Sequence, residues 1–291
     1  MRPLSVFLVL FHFAALLSHQ GLASDSTLIS GLKDYILAES GYKTRDKFFN
    51  TWSEGGKPSV IVYVTSMHSV GTLGQGERSM IIQFGHDERH AKRVARKYDT
   101  LGYHTLLYKT YGTSLTELSP RFMSYSPEAK SFIVLHEFIH HYAMDRMLDL
   151  PLEYHEALAD IMGNYGTIEF AGQSKNVSRS RAKAQRSRNE RFYKAINKSI
   201  DKINHDSTKV EKVNARCQRR IGKILKDDLF QNDRFDYPVN NAYLFRYRYY
   251  TEKYFILKKA LKQQRSIHGL LRIMEKAPSN LEDLEKYMKE L

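Results

Sequence analysis

The run Phe132-Ile-Val-Leu-His136-Glu137-Phe-Ile-His140-His-Tyr-Ala-Met144 places an HExxH pattern inside an otherwise apolar stretch. A helix is expected here on independent grounds. Ser126 is a good N-cap, Pro127 fits the first helical position, Glu128 favours the positive helix end, and apolar residues run on from Phe132. On that helix His136 and His140, four residues apart, project from one face one turn apart, close enough to share a metal ion. The geometry suits Zn2+. Glu137 would lean toward the position the protein leaves open, where a carboxylate can take a proton from water as a general base.

A catalytic zinc site needs a third protein ligand, and the segment Pro151-Leu-Glu153-Tyr-His155-Glu156-Ala-Leu-Ala-Asp160-Ile-Met-Gly163 offers one. Glu156 opens a second helical pattern with Asp160 one turn on, so Glu156 can ligate while Asp160 accepts the outer N–H of a ligand imidazole. Glu153 is the competing ligand, with no carboxylate one turn further along. Two histidines and a glutamate leave one position for water, which is a catalytic set and not a structural one.

Outward from this centre the chain divides by composition. Residues 1–23 read as a signal peptide: Arg2 is the positive region, Leu4 to Leu17 the apolar region, and Gly21-Leu22-Ala23 a small-x-small cleavage site. The expectation is export, to a periplasmic or secreted location. The apolar run is too short for an ordinary spanning helix, which needs about 20 residues. Cys217 is the only cysteine, so an internal disulfide is excluded.

Residues 24–125 predict a small α/β layer. Thr27 to Ser40 reads as an amphipathic helix ended by Gly41, Ser59–Thr65, Ser79–Phe84 and Tyr103–Tyr108 as strands, and Asp87–Leu101 as a basic helix. Gly71 to Gly76 lacks the spacing of a phosphate loop. The connection Thr110–Glu117 either carries the sheet edge past the zinc or is an ordinary loop. Residues 126–170 hold the two ligand helices.

In residues 171–232 the charge is regional. Between Lys175 and Lys226 there are 17 Lys and Arg against 4 Asp and Glu, a local +13 that equals the formal charge of the whole chain. Phe192, Ile196, Ile200 and Ile203, then Val210, Val213, Cys217, Ile221 and Ile224, follow helical spacing on either side of a polar break at Asn204–Thr208. A basic helical hairpin is expected. Its apolar stripe would pack on the catalytic core under a solvated face, or the face would dock an anionic envelope polymer or a lipid surface. The run lacks interleaved aromatics, which favours the packing reading, and nucleic acid is not expected as the partner of an exported chain.

Residues 233–291 complete the chain, with a turn at Pro238, a tyrosine-rich helix from about Asn240 to Gln264, a helix over 267–276, and a last helix opened by Ser279 with Glu282 as a capping box. One or two of these tyrosines could point a phenol at the metal.

Taken together, these segments resemble a family of exported zinc peptidases, the predicted aminopeptidases of bacteria, with a gluzincin-type site. The resemblance covers nearly the full length. It rests on Val64-Thr-Ser-Met-His-Ser69, Leu101-Gly-Tyr103, the HExxH helix, His155-Glu156-Ala-Leu-Ala, the basic hairpin, and Asn240-Asn241-Ala followed by Tyr250. It implies an α+β fold with a mainly helical, zincin-type catalytic region. It also implies zinc held by His136, His140 and Glu156, Glu137 as base, and Asp160 backing a ligand as in thermolysin-like sites. Tyr250 would steady the oxyanion, with Asn241 fixing the helix start that aims it. The chain departs from the family in four respects: it lacks a cysteine pair and a lipid-attachment cysteine, it carries His155 where an asparagine is usual, and its spacer between His140 and Glu156 is a few residues longer. The implied activity is hydrolysis of peptide or protein substrates, as an aminopeptidase. The rival class is a degenerate peptidase scaffold that binds an anionic envelope component through its hairpin. The intact His136, Glu137, His140 and Glu156 count against it.

Overall fold

The computed structural model describes residues 25–52, 58–71, 79–110, 117–146, 148–226 and 237–290. The expected signal peptide, the glycine-rich connection beyond Gly71, residues 111–116 of the Thr110–Glu117 connection and the chain from 227 to 236 lie outside them. Among the described residues the protein is mostly helical with one three-stranded antiparallel sheet, an α+β arrangement. No helix among them is long and apolar enough to cross a membrane.

Helix α1 (residues 25–40) buries Leu28, Leu32 and Ile36 and stops at Gly41, whose φ of 65° is the left-handed conformation that glycine adopts without strain. The two-residue strand β1 (Thr51–Trp52) follows. Strand β2 (Ser59–Ser66) is the centre of the sheet, with β3 (Ser79–Gln83) on one side and β4 (Tyr103–Thr110) on the other, both antiparallel to it. Alternation along β2 sends Val60, Val62 and Val64 to one face, where they meet Ala91 and Ala95 of α2 (Glu88–Thr100). The opposite face carries Tyr63, whose ring lies edge-on to Phe245 at 6.2 Å. Strand β5 (Glu117–Leu118) pairs with β1 in a separate parallel ladder, so the end of the Thr110–Glu117 connection does not join the main sheet.

After α3 (Pro120–Ser124), α4 (Pro127–Asp145) begins with Ser126 as N-cap, accepting from the Ala129 N–H at 3.2 Å. Glu128 does more than meet its own helix dipole. It is buried, accepts from the Ser178 N–H at 3.0 Å and pairs with Arg181 at 3.4 Å, fastening the positive end of α7 (Arg179–His205) to α4. Between them lie α5 (Leu152–Ile161), a π-helical turn (Met162–Gly166) and α6 (Thr167–Phe170). A Cβ on Gly163 would stand 2.8 Å from the Phe132 ring, so the close approach of this turn to α4 depends on glycine.

The hairpin is formed by α7 and α8 (Val210–Leu225), joined by a 3₁₀ turn at Ser207–Lys209. Its inward stripe includes Leu225, fully buried a spacing of four beyond Ile221, as well as the expected Ile224, which is half-buried against the same core. The tyrosine-rich segment is two helices where the periodicity predicts one: α9 (Asn241–Thr251) and α10 (Tyr254–Gln264). Asn197 of α7 supplies the reason. Its amide donates to the Thr251 carbonyl at 2.8 Å and accepts from the Thr251 hydroxyl at 2.6 Å, taking a backbone acceptor that an unbroken helix would use. Helix α11 (Ile267–Met274) is capped by Ser266, and α12 (Leu281–Glu290) by Asn280, which accepts from the Asp283 N–H at 2.9 Å. The expected Ser279–Glu282 box is thus displaced by one residue onto Asn280 and Asp283, where the asparagine amide also reaches the aspartate carboxylate at 2.6 Å. One continuous apolar core runs from Leu28 of α1 to Met288 of α12, with α9 against the sheet on one side and α5 and α7 on the other.

Candidate metal centre

The site forms where α4 crosses α5. HExxH spacing puts His136 and His140 on the face of α4 that meets α5, and Nε2 of one ring lies 3.2 Å from Nε2 of the other. From α5, Glu156 Oε2 stands 3.6 Å from His136 Nε2 and 3.9 Å from His140 Nε2. These three ligand atoms all lie within 4.8 Å of one another. Glu153, the alternative ligand, is outside the cluster; its charge is felt instead at Tyr249 of the tyrosine-rich helix α9 and at Tyr154.

Each imidazole is held by a partner behind it. His136 Nδ1 lies 3.0 Å from Asp160 Oδ1, so its N–H donates there and its Nε2 lone pair faces the cluster. The other oxygen of Asp160 accepts from the buried Tyr193 hydroxyl of α7. His140 Nδ1 lies 3.3 Å from His155 Nε2, and His155 is in turn hydrogen-bonded to the Ile139 backbone. With His155 donating to that carbonyl, its Nε2 accepts from His140 and leaves the His140 Nε2 lone pair facing the cluster as well. His155 therefore does for one ligand what Asp160 does for the other. Phe132, admitted by Gly163, stacks on His136 at 5.9 Å.

The chemistry of this set fits a divalent cation. Two imidazole lone pairs 3.2 Å apart repel unless a proton or cation lies between them. Glu156 Oε2 is buried with no hydrogen-bond partner, a costly state for a carboxylate oxygen. A tetrahedral zinc with bonds of about 2.0–2.1 Å has ligand-to-ligand edges of about 3.3–3.4 Å, and the structure has 3.2, 3.6 and 3.9 Å. Electrostatics agree. Burial opposes charge on His136, but the hydrogen bond and charge of Asp160 outweigh it and raise its pKa to about 9. Burial, reinforced by His136 and His155, drives His140 strongly down. Burial pushes Glu156 up to about 7 and also raises Glu137. Groups competing for protons in so small a space are relieved by a metal ion.

Two residues of α9 complete the surroundings. The Tyr250 ring lies 6.3 Å from the His136 ring at 23° to it. The charge of Glu156, followed by burial, holds the Tyr250 phenol well above its ordinary pKa, so it keeps its proton. One turn earlier Arg246, 8% exposed, lies over the rings of Tyr108 at 3.7 Å and Tyr247 at 4.3 Å. Its Nε and Nη1 have no hydrogen-bond partner, and its charge is felt at both Glu156 and Tyr250.

Asn241 is not part of the cluster. It lies nine residues before Tyr250, about 13 Å along the helix. There its amide donates to the Ser66 and Met67 carbonyls, each at 3.0 Å, while Asn240 caps α9 and donates to the Thr105 carbonyl at 2.9 Å. The pair pins the start of α9 to the ends of β2 and β4, and this sets where Tyr250 falls. Sequence reasoning missed Tyr193 and Arg246. Periodicity marks Tyr193 as inward-facing beside Phe192, but no local pattern says which carboxylate it meets. Arg246 left a signal: a cation four residues before Tyr250 in a tyrosine-rich run that also holds Arg248.

Comparison of the chain with protein-family models, with curated proteins and with solved structures finds no match in any of the three.

Proposed function

We propose that the protein is a zinc-dependent metallopeptidase of gluzincin type, with a zincin-type catalytic region, that hydrolyses peptide bonds in an exported compartment. The observation that carries this reading is the convergence of His136, His140 and Glu156, with one buried, unpartnered carboxylate oxygen among them and Glu137 beside them in the chain. His136, His140 and Glu156 would hold the ion. When bound, zinc supplies Lewis-acid polarisation of the scissile carbonyl and makes water a stronger acid.

The rest is the work of the chain's own groups. Glu137, whose carboxyl is raised by burial, takes a proton from the attacking water and delivers it to the leaving amine. Tyr250 donates to the developing oxyanion as a neutral phenol, and the Arg246 guanidinium adds a positive field one turn away. Asp160 with Tyr193, and His155, hold the two imidazoles in the tautomers that present Nε2. Cleavage from the amino end is the direction that the family resemblance favours.

The test combines metal analysis with turnover. The purified protein is expected to hold one zinc, and His136→Ala, His140→Ala and Glu156→Ala to lose it. Glu137→Gln should keep the metal and lose hydrolysis of a peptide library. Faster cleavage of free than of N-blocked peptides would establish the aminopeptidase direction. Full zinc occupancy in Glu156→Ala, or turnover preserved in Glu137→Gln, would sink the assignment.

A further inference from the structure

The charge of the α7–α8 hairpin is arranged in a particular way. Lys198 and Lys202 lie one turn apart on α7, and Arg216 and Arg220 one turn apart on α8. All four are exposed, and together they line one groove between the helices, of about 170 Å³, whose other walls include Ala195, Val213 and Cys217. None of the four has a carboxylate partner among the described residues, whereas Arg181, Arg186 and Lys209 of the same hairpin do. Like charges at a spacing of four destabilise a helix. What sets these pairs apart is that they line the two sides of one groove, which concentrates four cations at one place. An anionic partner removes the cost.

We infer that this face of the hairpin docks the protein on a bilayer surface carrying anionic phospholipid headgroups. Two antiparallel helices of 27 and 16 residues, about 40 and 24 Å long, present a broad surface, which suits a membrane plane better than a single strand of soluble polymer. The groove also has apolar walls beneath its cations, where long basic side chains can lay their stems while their charges meet phosphates. The orientation is set by the helix itself. Tyr193 and Lys202 are nine residues apart on α7 and so point to opposite sides, Tyr193 inward to Asp160 and Lys202 outward. A docked protein therefore holds the hairpin between the membrane and the His136 ligand. This inference does not depend on peptidase activity.

The experiment is flotation of the full chain with phosphatidylcholine vesicles, with and without phosphatidylglycerol, at low and high salt. Binding is expected only with the anionic lipid and should weaken as salt rises. At about fivefold per cation, the combination Lys198→Gln, Lys202→Gln, Arg216→Gln and Arg220→Gln should weaken it by 100-fold or more. A charge-matched control, Arg89→Gln, Arg93→Gln, Arg96→Gln and Lys97→Gln on α2, should bind nearly as the parent does. Equal binding to both vesicle types overturns the inference, as does equal weakening by the two variants. Binding to soluble polyphosphate without binding to vesicles would replace the membrane with an anionic polymer.

Discussion

Tyr250 and Tyr193 are both phenols near one histidine, and they act on it in different ways. Tyr250 lies beside the His136 ring and, in the proposed reaction, donates to the oxyanion from outside the ligand helices. Tyr250→Phe keeps the ring and removes only that donor, so zinc content should be unchanged and kcat should fall about 100- to 1000-fold with KM little altered. Metal analysis with steady-state kinetics checks this, and near-normal turnover would return Tyr250 to a packing role. Tyr193 is one step further away, donating to the Asp160 oxygen that His136 does not use. Its loss leaves Asp160 less firmly oriented. Tyr193→Phe should weaken zinc binding by about 10-fold or more in competition with a chelator, the size usual for groups behind a ligand. Unchanged affinity would show that Asp160 is held well enough without it.

At the scale of elements, the far end of the ligand helix α4 is tied to α11. Tyr142 donates to Glu275 at 2.5 Å, and Arg272 lies 3.2 Å from the other oxygen of the same carboxylate. The Tyr142 hydrogen bond is the largest reason that Glu275 titrates below an ordinary glutamate. A carboxylate with a depressed folded-state pKa stabilises the fold fully above its unfolded value of about 4.3, and the stabilisation is lost as pH falls through the folded value. Glu275→Gln should therefore cost about 0.5–1 kcal/mol at neutral pH, below the ~1.5–3 kcal/mol of a buried charged hydrogen bond because solvent reaches the carboxylate. The difference from the parent should shrink below about pH 4. Denaturant melts across that window measure it, and a difference that grew on acidification would contradict the argument.

At the scale of the whole molecule, one core joins α4 and α5 to the sheet through α9, so the ligands are as far apart as that core allows. Metal binding is then linked to global stability. Free zinc at 100 times its Kd should raise unfolding free energy by about 2.7 kcal/mol, and chelation should lower the melting temperature of the parent but not of Glu156→Ala. Equal melting with and without chelator would mean that the folded chain holds no ion. The hairpin's charges belong to this scale too. They are exposed and screened by salt, so the four glutamine substitutions on Lys198, Lys202, Arg216 and Arg220 should leave turnover of a small neutral peptide nearly unchanged.

By itself the sequence determined the parts whose information is local. Apolar period, Ser126 and Pro127 announce α4; alternating valines announce β2; the polar break at Asn204–Thr208 announces the hairpin. Helical spacing alone sets His136 and His140 on one face, because two residues four apart on a helix cannot do otherwise. Only the tertiary structure decided what depends on a second element. It chose Glu156 over Glu153, since the face of α5 that meets α4 is set by packing and not by either residue's neighbours. Asn197 of α7 divided α9 from α10 by taking the Thr251 carbonyl, a contact between residues 54 apart in the chain. Tyr193 came to Asp160, and Arg246 among the tyrosines of β4 and α9, for the same reason: a side chain's partner across a core is specified by how the elements stack, and periodicity carries the direction of the side chain but not what waits there.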